Sequence, residues 1–206
     1  MVKFATVSES CEPYGPWRIG EAEFYSRNGE DSRCEYLGGV SVVREPASDG
    51  HEDLNAFLLA LLRTYLEESG QGLVRGSRFP MRLDESWSPE PDLMVVREAR
   101  RHLIGRRWLE GPADLVIEIA SAGAPRADLR LKLPRYRQAS VPEIWLIDPR
   151  TRSVRVETLT DTGYRTVTVT AGRLDAAALP GFWIDVAWLW REPLPRVLSC
   201  LRQILA

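Results

Sequence analysis

Histidine and cysteine are scarce in this chain of 206 residues, with two of the first and three of the second. Cys11, Cys34 and Cys200 show neither paired nor CxxC spacing, so neither a zinc cluster nor a disulfide framework is indicated, and a reducing, cytoplasmic setting is expected. Long hydrophobic runs are also missing. The most membrane-like stretch, residues 57–62 (FLLALL), falls far short of a bilayer span, and the opening MVKFATVSESCEPYG lacks the sustained apolar core of a secretory signal. No membrane partner is therefore expected. An excess of one charge is absent too: 27 lysines and arginines face 29 acids, for a net charge of -2. That balance argues against a polycation that coats nucleic acid by charge alone, yet it allows a basic groove offset by an acidic metal site. There is no HExxH, GxGxxG or phosphate loop, and Ser121 lacks the nucleophile-elbow pattern, so no small organic cofactor is expected.

What is present reads as a mixed α/β chain. A short helix is expected near residues 20–28, then a hairpin over 33–43 around Gly38-Gly39, with Glu35 in its first strand. Leu54, Phe57, Leu58, Leu61, Leu62, Tyr65 and Leu66 recur at helical spacing. They predict a helix over 51–69 that Asp49 or Gly50 begins and Gly70 closes. Strands are expected at 72–82, 92–96, 114–120 and 143–148, with a short helix or ordered surface loop at 97–110 and a helix at 127–139. A hairpin at 153–159 and 164–170 follows, then a short strand and helix at 182–190. The order predicts one domain with a mixed central β-sheet flanked by helices, between an irregular segment at 1–20 and a tail at 193–206.

The residues that could carry chemistry begin with Glu118. Alternation along its strand puts Leu115, Ile117 and Ile119 on one face and Val116, Glu118 and Ala120 on the other. A carboxylate among apolar neighbours must meet a cation, a metal or a watered cleft, because an unpaired buried charge costs several kcal/mol. A buried salt bridge is one answer. Asp92, at the head of an apolar strand in SPEPDLMVV, is a turn or edge residue when read alone. Two acids at adjoining strand ends, however, suit a hard divalent ion held by carboxylates and water. Lys132 lies at the margin of the packed stripe Leu129, Leu133 and Tyr136. It could send its ammonium across the sheet, or sit in solvent and pair with Asp128. Together, two carboxylates, an ion and a lysine could hydrolyse a phosphodiester. Glu35 and His51 could support the same pocket, although a first-turn histidine is often a surface residue. Arg126 and Arg130 are candidate phosphate contacts within a basic helix, and 97–107 holds five more arginines and His102; both runs could equally be solubilising faces. Trp145, Trp183, Trp188 and Trp190 read as core or interface, and Trp87 as the tryptophan to test against substrate.

The pieces CEYLGGV, His51 before a leucine-rich helix, PEPDLMVV, DLVIEIAS and DLRLKLPRYRQASVPEIWLIDP together resemble the Uma2 family of the PD-(D/E)XK nuclease superfamily. The resemblance runs over about residues 21–190, and 21–192 is taken as the Uma2-like domain. It implies a restriction-endonuclease-like sheet and a magnesium-dependent DNA endonuclease, with manganese as a substitute ion. Asp92 and Glu118 would be its metal ligands, Lys132 its catalytic lysine, and Glu35 and His51 its supporting residues. DNA and a second copy of the chain, most simply in a dimer, are the implied partners. The alternative is an inactive nucleic-acid-binding or structural homo-oligomeric domain. This chain departs from the pattern in three ways. Its strand carries Glu118-Ile119-Ala120 with no lysine two residues on, so that the family's lysine is the one displaced to the helix. Its loop reads Ser121-Ala122-Gly123-Ala124-Pro125 where hydroxyl-rich turns are common, and Pro134 falls inside the predicted helix.

Overall fold

The computed structural model describes residues 18–28, 34–44, 46–120 and 127–206. Its elements, in chain order, are α1 (Glu21–Arg27), β1 (Cys34–Leu37), β2 (Val40–Val43), α2 (Asp49–Ser69), β3 (Gly72–Gly76), β4 (Met81–Arg82), β5 (Trp87–Ser88), β6 (Leu93–Arg97), a 3-10 turn at Glu98–Leu103, β7 (Leu109–Glu110), β8 (Leu115–Ile119), α3 (Ala127–Gln138), β9 (Glu143–Asp148), β10 (Ser153–Thr160), β11 (Gly163–Val169), β12 (Arg173–Asp175), β13 (Trp183–Asp185), a 3-10 turn at Val186–Trp190, and α4 (Val197–Leu205). Six strands form the main sheet in the order β11-β10-β9-β8-β6-β3. Within this sheet only β8 and β9 run parallel, because α3 carries the chain back between them; its other neighbours are antiparallel.

Alternation along the strands gives the sheet two apolar faces. Leu93, Val95, Leu115, Ile117, Trp145 and Ile147 pack with the leucines of α2 on one side. Met94, Val96, Val116 and Ile144 pack with Tyr136 of α3 on the other. The mixed sheet flanked by helices is thus the expected architecture, and Glu118 points, as its parity requires, to the α3 side. Trp145 and Trp188 are buried in the first core and serve packing. The residues after 192, expected as a tail, instead form α4, which buries Cys200, Leu201 and Ile204 and packs on α2.

α2 begins at Asp49, as expected, and the hydroxyl of Ser48 caps it by accepting from the His51 amide, which fixes His51 in the first turn. Two local differences from the sequence reading have simple causes. The run at 72–82 breaks into β3 and β4, and β5 forms inside the DESWSPEP segment, because a small sheet of order β2-β1-β5 captures Trp87 and Ser88. Cys34 is disulfide-bonded, whereas sequence spacing suggested reduced cysteines, since the fold and not the spacing decides which thiols meet; Cys200 is free and buried. Among the described residues, no helix is long and apolar enough to cross a membrane.

Three glycines have steric reasons. Gly38 and Gly39, at φ 66° and 79°, make the two-residue turn between β1 and β2 that sequence reasoning predicted. At Gly72 the β3–β6 ladder runs so close that a Cβ would lie 2.2 Å from the Val96 carbonyl oxygen and 2.8 Å from the Arg97 Cα. Gly72→Ala is therefore expected to cost about 1–3 kcal/mol of stability in urea denaturation, as overpacking against backbone does. An unchanged unfolding midpoint would contradict this register.

Candidate active site

The two strands that carry the acids are neighbours. β6 and β8 pair antiparallel with Leu93 opposite Ile117, and one step further on Asp92 reaches across. Its Oδ2 accepts the Ile119 amide at 2.8 Å and faces His51 Nε2 at 3.2 Å, while its Oδ1 accepts from Arg44 Nη2 at 3.0 Å. The peptide N–H of one strand and the helix-capped first turn of α2 thus fix a single carboxylate.

Glu118 lies beside it, buried on the α3 face. The Tyr136 hydroxyl donates to its Oε1 at 2.6 Å, and the Lys132 ammonium stands 3.6 Å from the same oxygen. Lys132 is only 1% exposed, which overturns the solvated-lysine reading. Its Nζ lies 3.0 and 2.9 Å from the two oxygens of Glu35, which β1 delivers from the other sheet. Pro134 lies inside α3 and supplies no amide to the Arg130 carbonyl, yet the helix continues through it and Lys132 still reaches the acids.

Three members of this cluster carry no sequence signal strong enough to name them. Arg44, one residue past β2, lies 3.1 Å from Glu35, 3.0 Å from Asp92 and 3.6 Å from Glu90. Glu90 is buried, and its amide donates to Glu35 at 3.3 Å. The spacing of Glu90 and Asp92 by two could have placed them on one face. Tyr136 was legible only as part of the packed stripe.

The electrostatics follow from burial. Glu35, Glu90, Asp92 and Glu118 face Arg44 and Lys132, with His51 as a third cation only when protonated. Burial, reinforced by Asp92 and Glu35 and only partly offset by Lys132, raises the Glu118 carboxyl to about 7. Burial and Glu35 raise Glu90 to about 7 as well, against the pull of Arg44. Burial alone would raise Asp92, but its bond to His51, the Ile119 amide and Arg44 hold it below the usual range. The bond to Asp92 in turn raises His51 despite burial. Burial opposes the charge on Lys132, yet Glu118 and Glu35 keep its ammonium well protonated. Burial and the Glu118 carboxylate likewise push the Tyr136 hydroxyl far up, which leaves it a donor.

The other described candidates lie apart from this cluster. Arg126 and the segment from Ser121 to Pro125 lie outside the described residues, and Arg130 is exposed on α3. Much of the basic charge is tied locally: Arg100 to Asp114, Arg101 to Glu98, Arg135 to Asp84, and Arg137 to Glu157. The Trp87 ring is covered by the Arg135 guanidinium at 4.9 Å and by the Gly38 turn. His102 is exposed. Among the described residues, no group of three or more His, Cys, Asp or Glu is arranged to hold a metal ion.

The raised carboxyls have a consequence for stability. Glu90 is neutral in acid and must ionise in the folded protein against its surroundings. Its stabilising contribution is therefore complete below its ordinary value of 4.5 and is lost as pH rises through about 7. Glu90→Gln cannot ionise, so its stability relative to the unsubstituted chain should grow by about 1–3 kcal/mol across that window. Urea titrations at a series of pH values check this, and a difference that stays flat with pH would contradict it.

Comparison with known proteins adds three findings. The family model named Uma2, described as "putative restriction endonuclease", matches residues 21–187. A crystal structure described as a "putative nuclease belonging to DUF820" from Anabaena variabilis superposes with a TM-score of 0.71 at 14% sequence identity. The match covers 84% of this chain and 97% of that one, and at this identity the likeness is one of fold. No curated protein matches the sequence.

Proposed function

We propose, from the premise that this chain belongs to the Uma2 family, that its buried charged cluster is a divalent-metal-dependent site for hydrolysing DNA phosphodiester bonds. The observation that carries the reading is a fully buried lysine whose ammonium stands among Glu35 and Glu118, with a further buried acid, Asp92, on the adjoining strand. A purely structural core gains little from gathering acids at one buried point, because ionising them there is costly. The chemistry of the donors fits a hard ion such as Mg2+, with Mn2+ as substitute. Asp92 and Glu118 offer carboxylate oxygens from adjoining strands, and a divalent ion would favour the ionised form of Glu118, whose carboxyl burial raises to about 7.

When bound, the ion would supply Lewis acidity and lower the pKa of a coordinated water. The remaining roles belong to the chain itself. Lys132 keeps its proton and therefore acts as a fixed positive charge, able to orient the attacking water or stabilise charge growing on the phosphoryl oxygens. Tyr136 holds Glu118 by its hydroxyl, while His51 and the Ile119 amide hold Asp92, so that neither acid has to reorganise during the reaction. Glu35 anchors Lys132.

Metal uptake and turnover test the assignments separately. Calorimetry should detect a Mg2+ or Mn2+ site in the unsubstituted chain that Asp92→Ala and Glu118→Ala abolish. Lys132→Met, which keeps the side-chain volume, should retain uptake while lowering cleavage of a plasmid by at least about 100-fold, as loss of a charge-stabilising donor does. Uptake and cleavage both absent, or cleavage insensitive to all three substitutions, would overturn the proposal.

A further inference from the structure

We infer that Arg44 is a built-in counter-ion that holds the carboxylate pocket shut, and that a divalent ion gains Asp92 only by displacing the Arg44 guanidinium. The inference rests on the reading of the cluster as a metal site. Asp92 Oδ2 is committed to the fold, because it accepts the Ile119 amide within the sheet and faces His51. Its other oxygen, Oδ1, is held by Arg44 Nη2. An incoming ion and the arginine therefore compete for one oxygen.

Position supports the same conclusion. The Arg44 side chain is 25% exposed, whereas those of Asp92 and Glu35 are 4% exposed and that of Glu90 11%. The guanidinium thus lies between water and the acids, spanning Glu35 and Asp92 with separate nitrogens and standing 3.6 Å from Glu90. Lys132 holds Glu35 and Glu118 from within and is sealed off from solvent. The two cations have different tasks: Lys132 belongs to the site in either state, and Arg44 marks its closed state. A guanidinium does not lose its proton under ordinary conditions, so exchange with another cation, and not a pH change, opens the pocket. Loading then depends on divalent-ion concentration, with an apparent affinity lowered by the strength of the arginine's hold.

Titrating Mn2+ calorimetrically into the full chain and into Arg44→Gln and Arg44→Lys at fixed ionic strength tests this. Arg44→Gln should bind Mn2+ at least about tenfold more tightly than the unsubstituted chain, the scale of losing charge-assisted hydrogen bonds to a buried acid. Arg44→Lys, with a single ammonium in place of the fork, should fall between them. Equal or weaker Mn2+ binding in Arg44→Gln would overturn the inference and make Arg44 a support of the site. If thermal melts show that Arg44→Gln does not fold, Arg44→Lys decides: tighter binding supports the counter-ion role, and equal or weaker binding overturns it. Uptake that Glu118→Ala abolishes and Arg44 substitutions leave unaltered would sink this inference alone. An absence of Mn2+ uptake in every form would remove the metal-site reading beneath it as well.

Discussion

The burial of the Lys132 ammonium among carboxylates is the constraint on which the site depends. A lysine that is 1% exposed cannot keep its charge unless acids surround it, and Glu35 and Glu118 meet that need from two different sheets. Three parts of the fold must therefore be in register at once. The hairpin of β1 and β2 must deliver Glu35, β8 must present Glu118 on the α3 face, and α3 must hold its helical form past Pro134. Tyr136, one turn beyond Lys132 on the same helix, completes the arrangement by packing its ring in the second core while its hydroxyl binds Glu118.

Around that centre burial works against the acids. It raises Glu118 and Glu90 to about 7, with neighbouring carboxylates adding to the effect. Asp92 escapes this because a sheet amide and His51 hold it ionised. The cluster thus separates Asp92, which is held ionised, from Glu118 and Glu90, which ionise with reluctance. On the proposed reading, a divalent cation would relieve that asymmetry.

The fold and the candidate site were legible in the sequence to different depths. Alternation in LVIEI was enough to separate Glu118 from the apolar face, and the leucine spacing was enough for α2, because these patterns are set by local geometry. Lys132 was readable only as a residue at a helix margin; its burial depends on Glu35, which is 97 residues distant in the chain. Glu90 was readable only through its spacing from Asp92, and Arg44 was not readable at all. A charged residue after an edge hairpin normally lies in solvent, and the β1–β5 pairing beside Glu90 involves a β5 of only two residues, too short to carry a periodic signal. The C-terminal helix was hidden for another reason: Pro193 and Pro195 suggest an ending, and the burial of Leu201 and Ile204 arises from packing against α2 across most of the chain.

A crystal structure determined from protein equilibrated with saturating Mn2+, with anomalous scattering used to locate the ion, tests the central claim most directly. A peak shared by the Asp92 and Glu118 carboxylates, with Lys132 still beside Glu118 and the Arg44 side chain turned away from Asp92, is the predicted result. A map with no peak between those carboxylates, and Arg44 still bonded to Asp92, would contradict the account.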